Sequence, residues 1–138
     1  DMTAIHPADD NGVDLGSSSY SYKDLYVDGT ANIASMNMGV NSTITSSTTF
    51  NGTATIIPVN TSSGAITITI DSDQLVAGRV LIIKDIGASV SSGNQITIAT
   101  EGSEKINYTS DALSNTIQLT SNYNSVTLFS DGSNWFHI

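Results

Sequence analysis

The chain contains no cysteine and only two prolines among its 138 residues, so neither a disulfide nor a cysteine-ligated metal can hold its fold. Basic side chains are also scarce. Four lysines and arginines stand against 13 aspartates and glutamates, which gives a net charge of −9. Binding to nucleic acid needs a basic face that releases counterions from phosphates, so this charge balance argues against a nucleic-acid partner.

Long apolar runs are missing as well. No stretch approaches the roughly 20 apolar residues of a membrane span, and we expect no membrane insertion. The negative charge also disfavours an anionic membrane surface. Because the first residue is Asp1 rather than methionine, we expect the sequence to be a piece of a longer chain.

Lysine and glutamate together supply only five residues, which is poor for surface helices. The abundant residues are instead small and polar or β-branched: serine, threonine and asparagine account for 50 positions, and there are 16 isoleucines and eight valines. β-branched residues favour strands. The composition therefore predicts an all-β protein.

Residues 53–138 carry the clearest strand signals. "AITITI" (65–70) and "NQITIAT" (94–100) alternate apolar and polar residues with period two, which is typical of strands with one buried face. Turn residues separate these runs, and Asp131-Gly132 predicts a hairpin. One short helical turn is predicted at 72–78. We predict an antiparallel β-sandwich or barrel head over 53–138, with further strands at 54–59, 79–85, 104–109, 115–120, 125–131 and 134–138.

Residues 1–52 have a different pattern, in which short apolar islands alternate with small polar residues and glycines. Each island is too small to form a core of its own, so a monomer made this way would leave it exposed. The pattern is explained if identical chains wrap round one axis, because each island then packs against its copies in the other chains. We therefore predict an extended, intertwined trimeric stem over 1–52, with trimer contacts from Leu15, Tyr22, Leu25, Tyr26, Val27 and Ile33.

No catalytic site, metal or cofactor is predicted. The acid pairs Asp71 with Asp73 and Glu101 with Glu104 lie in predicted turns, where exposed acids are ordinary, and the usual nucleophile and metalloprotease motifs are missing. "DDNGVD" (9–14) resembles a calcium loop in composition but lacks the downstream bidentate glutamate. His137 could form a three-nitrogen metal site on a trimer axis, although a plain strand residue is the simpler interpretation.

Aromatic and amide side chains near the C-terminus are the candidates for receptor contact. Tyr123 and Asn122 lie in "SNYNS", a predicted loop tip. Trp135 is the third candidate, because aromatic faces stack on sugar rings, but it lies beside Phe136 in the last strand, where core packing or subunit contact is an equal alternative.

Two segments resemble viral fibre proteins. "DNGVDLGSSSYSYKDLYVDGTANI" (10–33) is similar to a segment of many bacteriophage tail fibres, with Ser21-Tyr22 where an Arg-Trp pair is usual. "NYNSVTLFSDGSNWFHI" (122–138) resembles the terminal strand pair of phage and marine-virus fibre proteins. The resemblance implies a homotrimeric, extracellular fibre tip of the virion that contacts a host cell-surface receptor, often a glycan.

Three hypotheses of function remain at this point. The first is a trimeric, non-catalytic attachment tip of a viral tail fibre. The second is a monomeric extracellular carbohydrate-binding or adhesin module, which needs no stem contact. The third is a spike that depolymerises a host polysaccharide, for which the sequence offers no acid pair outside predicted turns.

Overall fold

The structure is a computed structural model that describes residues 15–109 and 112–138. The chain divides into two units, Asp1–Met36 and Asn37–Ile138. Residues 37–52, which the sequence analysis assigned to the stem, belong to the second unit. Residues 1–14 of the predicted stem, with the calcium-like loop, lie outside the described residues.

The described residues are all-β, as predicted, and hold no α-helix. Eight strands coincide with predicted ones, whereas β1 and β7 are additional. The predicted helical turn is a 3-10 turn at Ser72–Gln74, capped by the Asp71 carboxylate, which accepts a hydrogen bond from the Asp73 N–H at 2.8 Å. In chain order the strands are β1 (Thr48–Phe50), β2 (Ile56–Val59), β3 (Ile66–Ile70), β4 (Val80–Asp85), β5 (Ile96–Thr100), β6 (Ile106–Thr109), β7 (Ala112–Ser114), β8 (Thr116–Leu119), β9 (Ser125–Ser130) and β10 (Trp135–His137).

The first strands pass back and forth between two sheets. β1, β3 and β5 lie parallel in a four-stranded sheet that β8 completes, while β2 and β4 lie parallel in a six-stranded sheet. Two isolated parallel bridges extend this second sheet before β2, Val40 with Ile56 and Ile44 with Val59. Residues 40–100 are therefore wound as a flattened coil in which each turn of chain lies against the next.

The later strands mostly run antiparallel to their neighbours: β8 pairs with β5, β9 with β4, β10 with β9, and β7 with β6. Strands β10 and β6 are parallel. Both sheets are thus mixed, and the prediction of an antiparallel head is wrong in this respect. The alternation of side chains indicates which face is buried but not which strand is the neighbour. Because each connection between β1 and β5 crosses to the other sheet, strands two apart become parallel neighbours.

One core lies between the inward faces of these strands. β3 and β5 show the alternating burial that their sequences predict, and the buried apolar residues of both sheets form a single cluster. Burying each such side chain contributes roughly 1.5–3 kcal/mol relative to leaving it exposed. The fully buried large side chains are Trp135, Ile57, Ile68, Ile70, Leu81, Ile83, Ile96, Ile98, Ile106, Leu119, Leu128 and Val59.

Arg79 fastens the segment that precedes β2. Its Nη2 donates to the carbonyls of Gly52 at 3.1 Å and Ala54 at 2.8 Å, and its Nη1 donates to the carbonyl of Thr53 at 3.2 Å. Burial lowers the pKa of Arg79, although a guanidinium remains protonated at neutral pH. One of the four basic side chains of the chain is therefore engaged in hydrogen bonds within the fold.

The predicted hairpin at Asp131-Gly132 is confirmed. Strands β9 and β10 pair antiparallel across it, with Trp135 opposite Ser130. Gly132 has φ +93°, in the left-handed region that glycine adopts at little cost. The Asp131 carboxylate accepts hydrogen bonds from the N–H groups of Ser133 at 2.7 Å and Asn134 at 2.8 Å.

Candidate functional site

The three residues predicted to contact a receptor lie in two different environments. Tyr123 and Asn122 are exposed in the loop between β8 and β9, and the Tyr123 side chain is 63 % accessible. Trp135 has no accessible surface. The structure therefore keeps the first two as candidates for a binding surface.

Trp135 is a core residue. It lies in β10, between Ser130 of β9 and Ile106 of β6, so strands flank it on both sides. No described residue accepts a hydrogen bond from its buried indole Nε1–H. A ring in this position cannot stack on a sugar, and the receptor role proposed for it is corrected. The pairing of β10 with both β9 and β6 makes it a central strand, and the Trp135 side chain lies on its buried face.

Three loops meet at one end of the six-stranded sheet. The parallel strands β2 and β4 end at Val59 and Asp85, which are partners in the ladder, and the antiparallel β9 begins beside them, with Ser125 opposite Lys84. The loops at 60–64, 86–89 and 121–124 therefore lie together at this end of the sheet. We call this surface the loop end. Val40, where the chain joins this sheet, pairs with Ile56 at the opposite end of β2.

Asp85 holds two of these loops together. Its side chain is fully buried; Oδ1 accepts a hydrogen bond from the Gly87 N–H at 3.0 Å, and Oδ2 accepts one from the Tyr123 N–H at 2.8 Å. Its own N–H donates to the Asn124 carbonyl at 3.0 Å. Burying a carboxylate is unfavourable unless hydrogen bonds compensate, and here backbone donors from two loops do so.

The loop at 60–64 packs directly on the loop at 86–89. A Cβ placed on Gly87 would lie 2.2 Å from the Asn60 side-chain oxygen and 3.1 Å from the Asn60 Cα, so any side chain there would displace Asn60. The Asn60 oxygen also accepts a hydrogen bond from the Ser62 N–H at 3.0 Å. The loop end is consequently one continuous surface built from three separate segments.

The backbone at the loop end is unusual. Tyr123 (φ +57°) and Ala88 (φ +50°) are the non-glycine residues with positive φ in the part of the chain that the structure describes, and both lie on loops that Asp85 holds. Such conformations are uncommon for side chains of this size and persist where the surroundings enforce them. Lys84 adds a further restraint, because its Nζ donates to the Tyr123 carbonyl. Tyr123 is therefore an exposed ring on a fixed backbone.

Asp85 was not among the residues predicted to be functional. The sequence "RVLIIKD" (79–85) predicted only a strand. A usable signal was present, because period two places Leu81, Ile83 and Asp85 on the same face, and all three are buried. An acid that continues a buried face must have partners, and backbone N–H groups of adjoining loops are the partners that strand ends offer.

The predicted trimer contacts are all exposed in the single chain. Their accessible fractions range from 50 % for Val27 to 90 % for Tyr26. Every residue from 17 to 40 is exposed, and residues 21–38 make no hydrogen bond with any other described residue. The full set is Leu15, Tyr22, Leu25, Tyr26, Val27 and Ile33.

The acid pairs have structural partners. Glu101 accepts a hydrogen bond from the Ser72 N–H at 3.1 Å, and the nearly buried Glu104 accepts one from the Gly102 N–H at 3.2 Å. Among residues 15–109 and 112–138, no three acidic or histidine side chains are grouped so that they could hold a metal ion. His137 is an exposed residue of β10, opposite Leu128.

A shallow cleft of about 360 Å³ lies along residues 41–52. Serine, threonine and asparagine side chains line it, together with Ile44 and Phe50, and its lining includes no acidic or basic side chain. Such a cleft has hydrogen-bonding groups but no general acid or base.

The chain matches no protein-family model and no curated protein. Within the described residues, no helix has the length and apolar character needed to cross a membrane.

Proposed function

We propose that the chain is the tip region of a homotrimeric viral tail fibre, located on the virion and outside the cell, which attaches the virion to a glycan or protein of the host cell surface. In this proposal the residues before Asn37 contribute an intertwined stem, and residues 37–138, which include the last part of the predicted stem, form a β-sandwich head. The chain catalyses no reaction and needs no cofactor. The resemblance of segments 10–33 and 122–138 to fibre proteins supports the assignment.

The observation that carries the proposal is the distribution of exposed apolar side chains. Fourteen large hydrophobic residues are exposed among the described residues, and ten of them lie between Leu15 and Val40. Exposed apolar surface concentrated in this way marks an interaction site in a soluble protein. Identical copies wound round one axis would bury these side chains and provide partners for the unpaired backbone groups of 21–38.

The test is the mass of the protein in solution. Sedimentation equilibrium at micromolar concentration is expected to give three times the chain mass of 14.4 kDa. A chain that begins at Asn37 is expected to remain folded and become monomeric, because the buried cluster lies entirely within the second unit. A full-length chain that stays monomeric at this concentration would overturn the stem.

A second candidate is a monomeric carbohydrate-binding or adhesin module. The observation in its favour is the complete core of the second unit, which runs from Ile44 to Trp135 within one chain. The same mass measurement separates the two candidates, since the module would be monomeric with residues 15–36 present.

A further inference from the structure

The loop end has the properties of a prepared binding surface. The buried Asp85 carboxylate joins two loops, a glycine allows the third to pack against them, and two non-glycine residues hold positive φ. Together they fix the backbone that carries one exposed aromatic ring, that of Tyr123.

We propose that the loop end binds a neutral saccharide, with the Tyr123 ring as the stacking platform and Asp85 as a positioning residue. The inference deepens the proposed attachment function and rests on it. The flat ring can stack on the C–H groups of a pyranose, and a ring on a fixed backbone loses less conformational entropy on binding than a ring on a mobile loop. Asn122 and Ser62, both exposed on the same surface, supply amide and hydroxyl groups for the sugar hydroxyls.

Charge selects the class of saccharide. Lys84 is the basic residue of the loop end, and its ammonium already donates to the Tyr123 carbonyl. The whole chain carries a net charge of −9. A sialylated or sulfated sugar would meet repulsion and no uncommitted cation on these loops, whereas a neutral hexose or N-acetylhexosamine meets neither obstacle.

The first measurement uses the full-length protein on an array of immobilised neutral hexose and N-acetylhexosamine oligosaccharides, with sialylated and sulfated counterparts. Binding to neutral oligosaccharides above their charged counterparts supports the inference. Two results overturn it: no binding to any neutral oligosaccharide, or a preference for the charged ones. Sedimentation of the same sample shows separately whether the trimer proposal holds, so the two failures are distinguishable.

Variants of Tyr123 test the site itself. Tyr123→Ala is expected to raise the dissociation constant for the bound oligosaccharide about tenfold or more, whereas Tyr123→Phe keeps the ring face and most of the affinity. Val76→Ala is the control, because Val76 is 60 % accessible, lies outside the loop end and does not belong to the exposed segment between Leu15 and Val40. Unchanged binding by Tyr123→Ala would place the saccharide elsewhere.

Asp85→Asn tests positioning, because an amide offers one acceptor atom where the carboxylate offers two. Hydrogen exchange at the Tyr123 or Gly87 amide is expected to accelerate, and affinity to fall several-fold while exchange in β3 and β5 is unchanged. Faster exchange with unchanged affinity would overturn the positioning role. Should Asp85→Asn not fold, Lys84→Met removes the other restraint on Tyr123, and the same pair of readouts decides.

Discussion

The carboxylate of Asp131 organises the turn between β9 and β10. The N–H of Asn134, followed by that of Ser133, stabilises the charged form and lowers the pKa of Asp131 below its ordinary value. A carboxyl group whose pKa is lower in the folded state stabilises the fold above the unfolded-state pKa, and this contribution is lost as the pH falls through the folded-state value. We therefore expect Asp131→Ala to lose less stability than the natural chain when the pH is lowered from about 5 to about 2.

Thermal unfolding across that pH range provides the measurement. Asp28→Ala is the control, because the Asp28 carboxylate is exposed and accepts no hydrogen bond from the described residues. Its acid dependence should follow that of the natural chain. Parallel curves for the natural chain and Asp131→Ala would contradict the role assigned to the turn.

Gly87 and Gly93 form a matched pair on the connection between β4 and β5. At Gly87 a Cβ would lie 2.2 Å from the Asn60 oxygen, and at Gly93 it would meet nothing within 4 Å. Gly87→Ala forces the loop at 60–64 to move and is expected to destabilise the fold by about 1–3 kcal/mol.

Gly93→Ala is expected to be neutral or to stabilise by roughly 0.4–1 kcal/mol, because alanine restricts the unfolded chain. Denaturant unfolding of both variants measures the difference. Equal effects of the two substitutions would show that the close approach of Asn60 to Gly87 carries no energetic weight.

The environment of an individual residue could be predicted where the neighbouring sequence determines it. The Tyr123 loop could be identified because polar turn residues surround the tyrosine. Trp135 was ambiguous, since a tryptophan after a tight turn can face either side of its strand, and only the pairing of β10 with both β9 and β6 decides. The burial of Asp85 could have been inferred from period two, but its partners, the N–H groups of Gly87 and Tyr123, could not, because they belong to loops whose meeting depends on the sheet.

At the scale of elements, the segment from Leu15 to Val40 carries the assembly hypothesis. Burying a leucine contributes roughly 1.5–3 kcal/mol, so replacing Leu25 and Tyr26 together with serine should raise the trimer dissociation constant about a hundredfold or more. The unfolding of the head should be unaffected, because neither residue belongs to its core. Sedimentation at several concentrations and circular dichroism measure the two effects.

The control for that double substitution is Val76→Ser with Ile138→Ser. These apolar residues are also largely exposed, at 60 % and 68 %, but they lie in the second unit. Their replacement should leave the mass unchanged. A trimer that survives the Leu25 and Tyr26 substitutions would require another explanation for the exposed segment.

Eight strands could be located from the sequence because alternation and turn residues are local signals. β1 was missed because "TTF" is too short to show a period, and its place is set by pairing with β3 some 20 residues later. The parallel ladders could not be predicted either, because they also pair strands that are far apart in the sequence. Which strands become neighbours depends on the direction each connection takes after leaving its strand.

At the scale of the whole molecule, the composition predicted the fold class but not how the strands and the chains are arranged. β-branched residues and the shortage of lysine and glutamate predicted an all-β chain, and the described residues are all-β. The exposed islands were foreseeable from their small size. In the proposed trimer other copies of the chain cover them, and the sequence of one chain does not specify how those copies are arranged.

The coiled path of residues 40–100 bears on how such a protein can diversify. Thr48 pairs with Ile68, and Ile66 pairs with Ile96, so successive turns of the coil differ in length by about ten residues without disturbing the ladder. The additional residues of the longer turn lie in the connections where the chain crosses between the two sheets. Insertions and deletions in these connections, for instance around Gly93, can accumulate while the buried isoleucines keep their neighbours. A lineage with this architecture can vary its surface loops without changing how it folds.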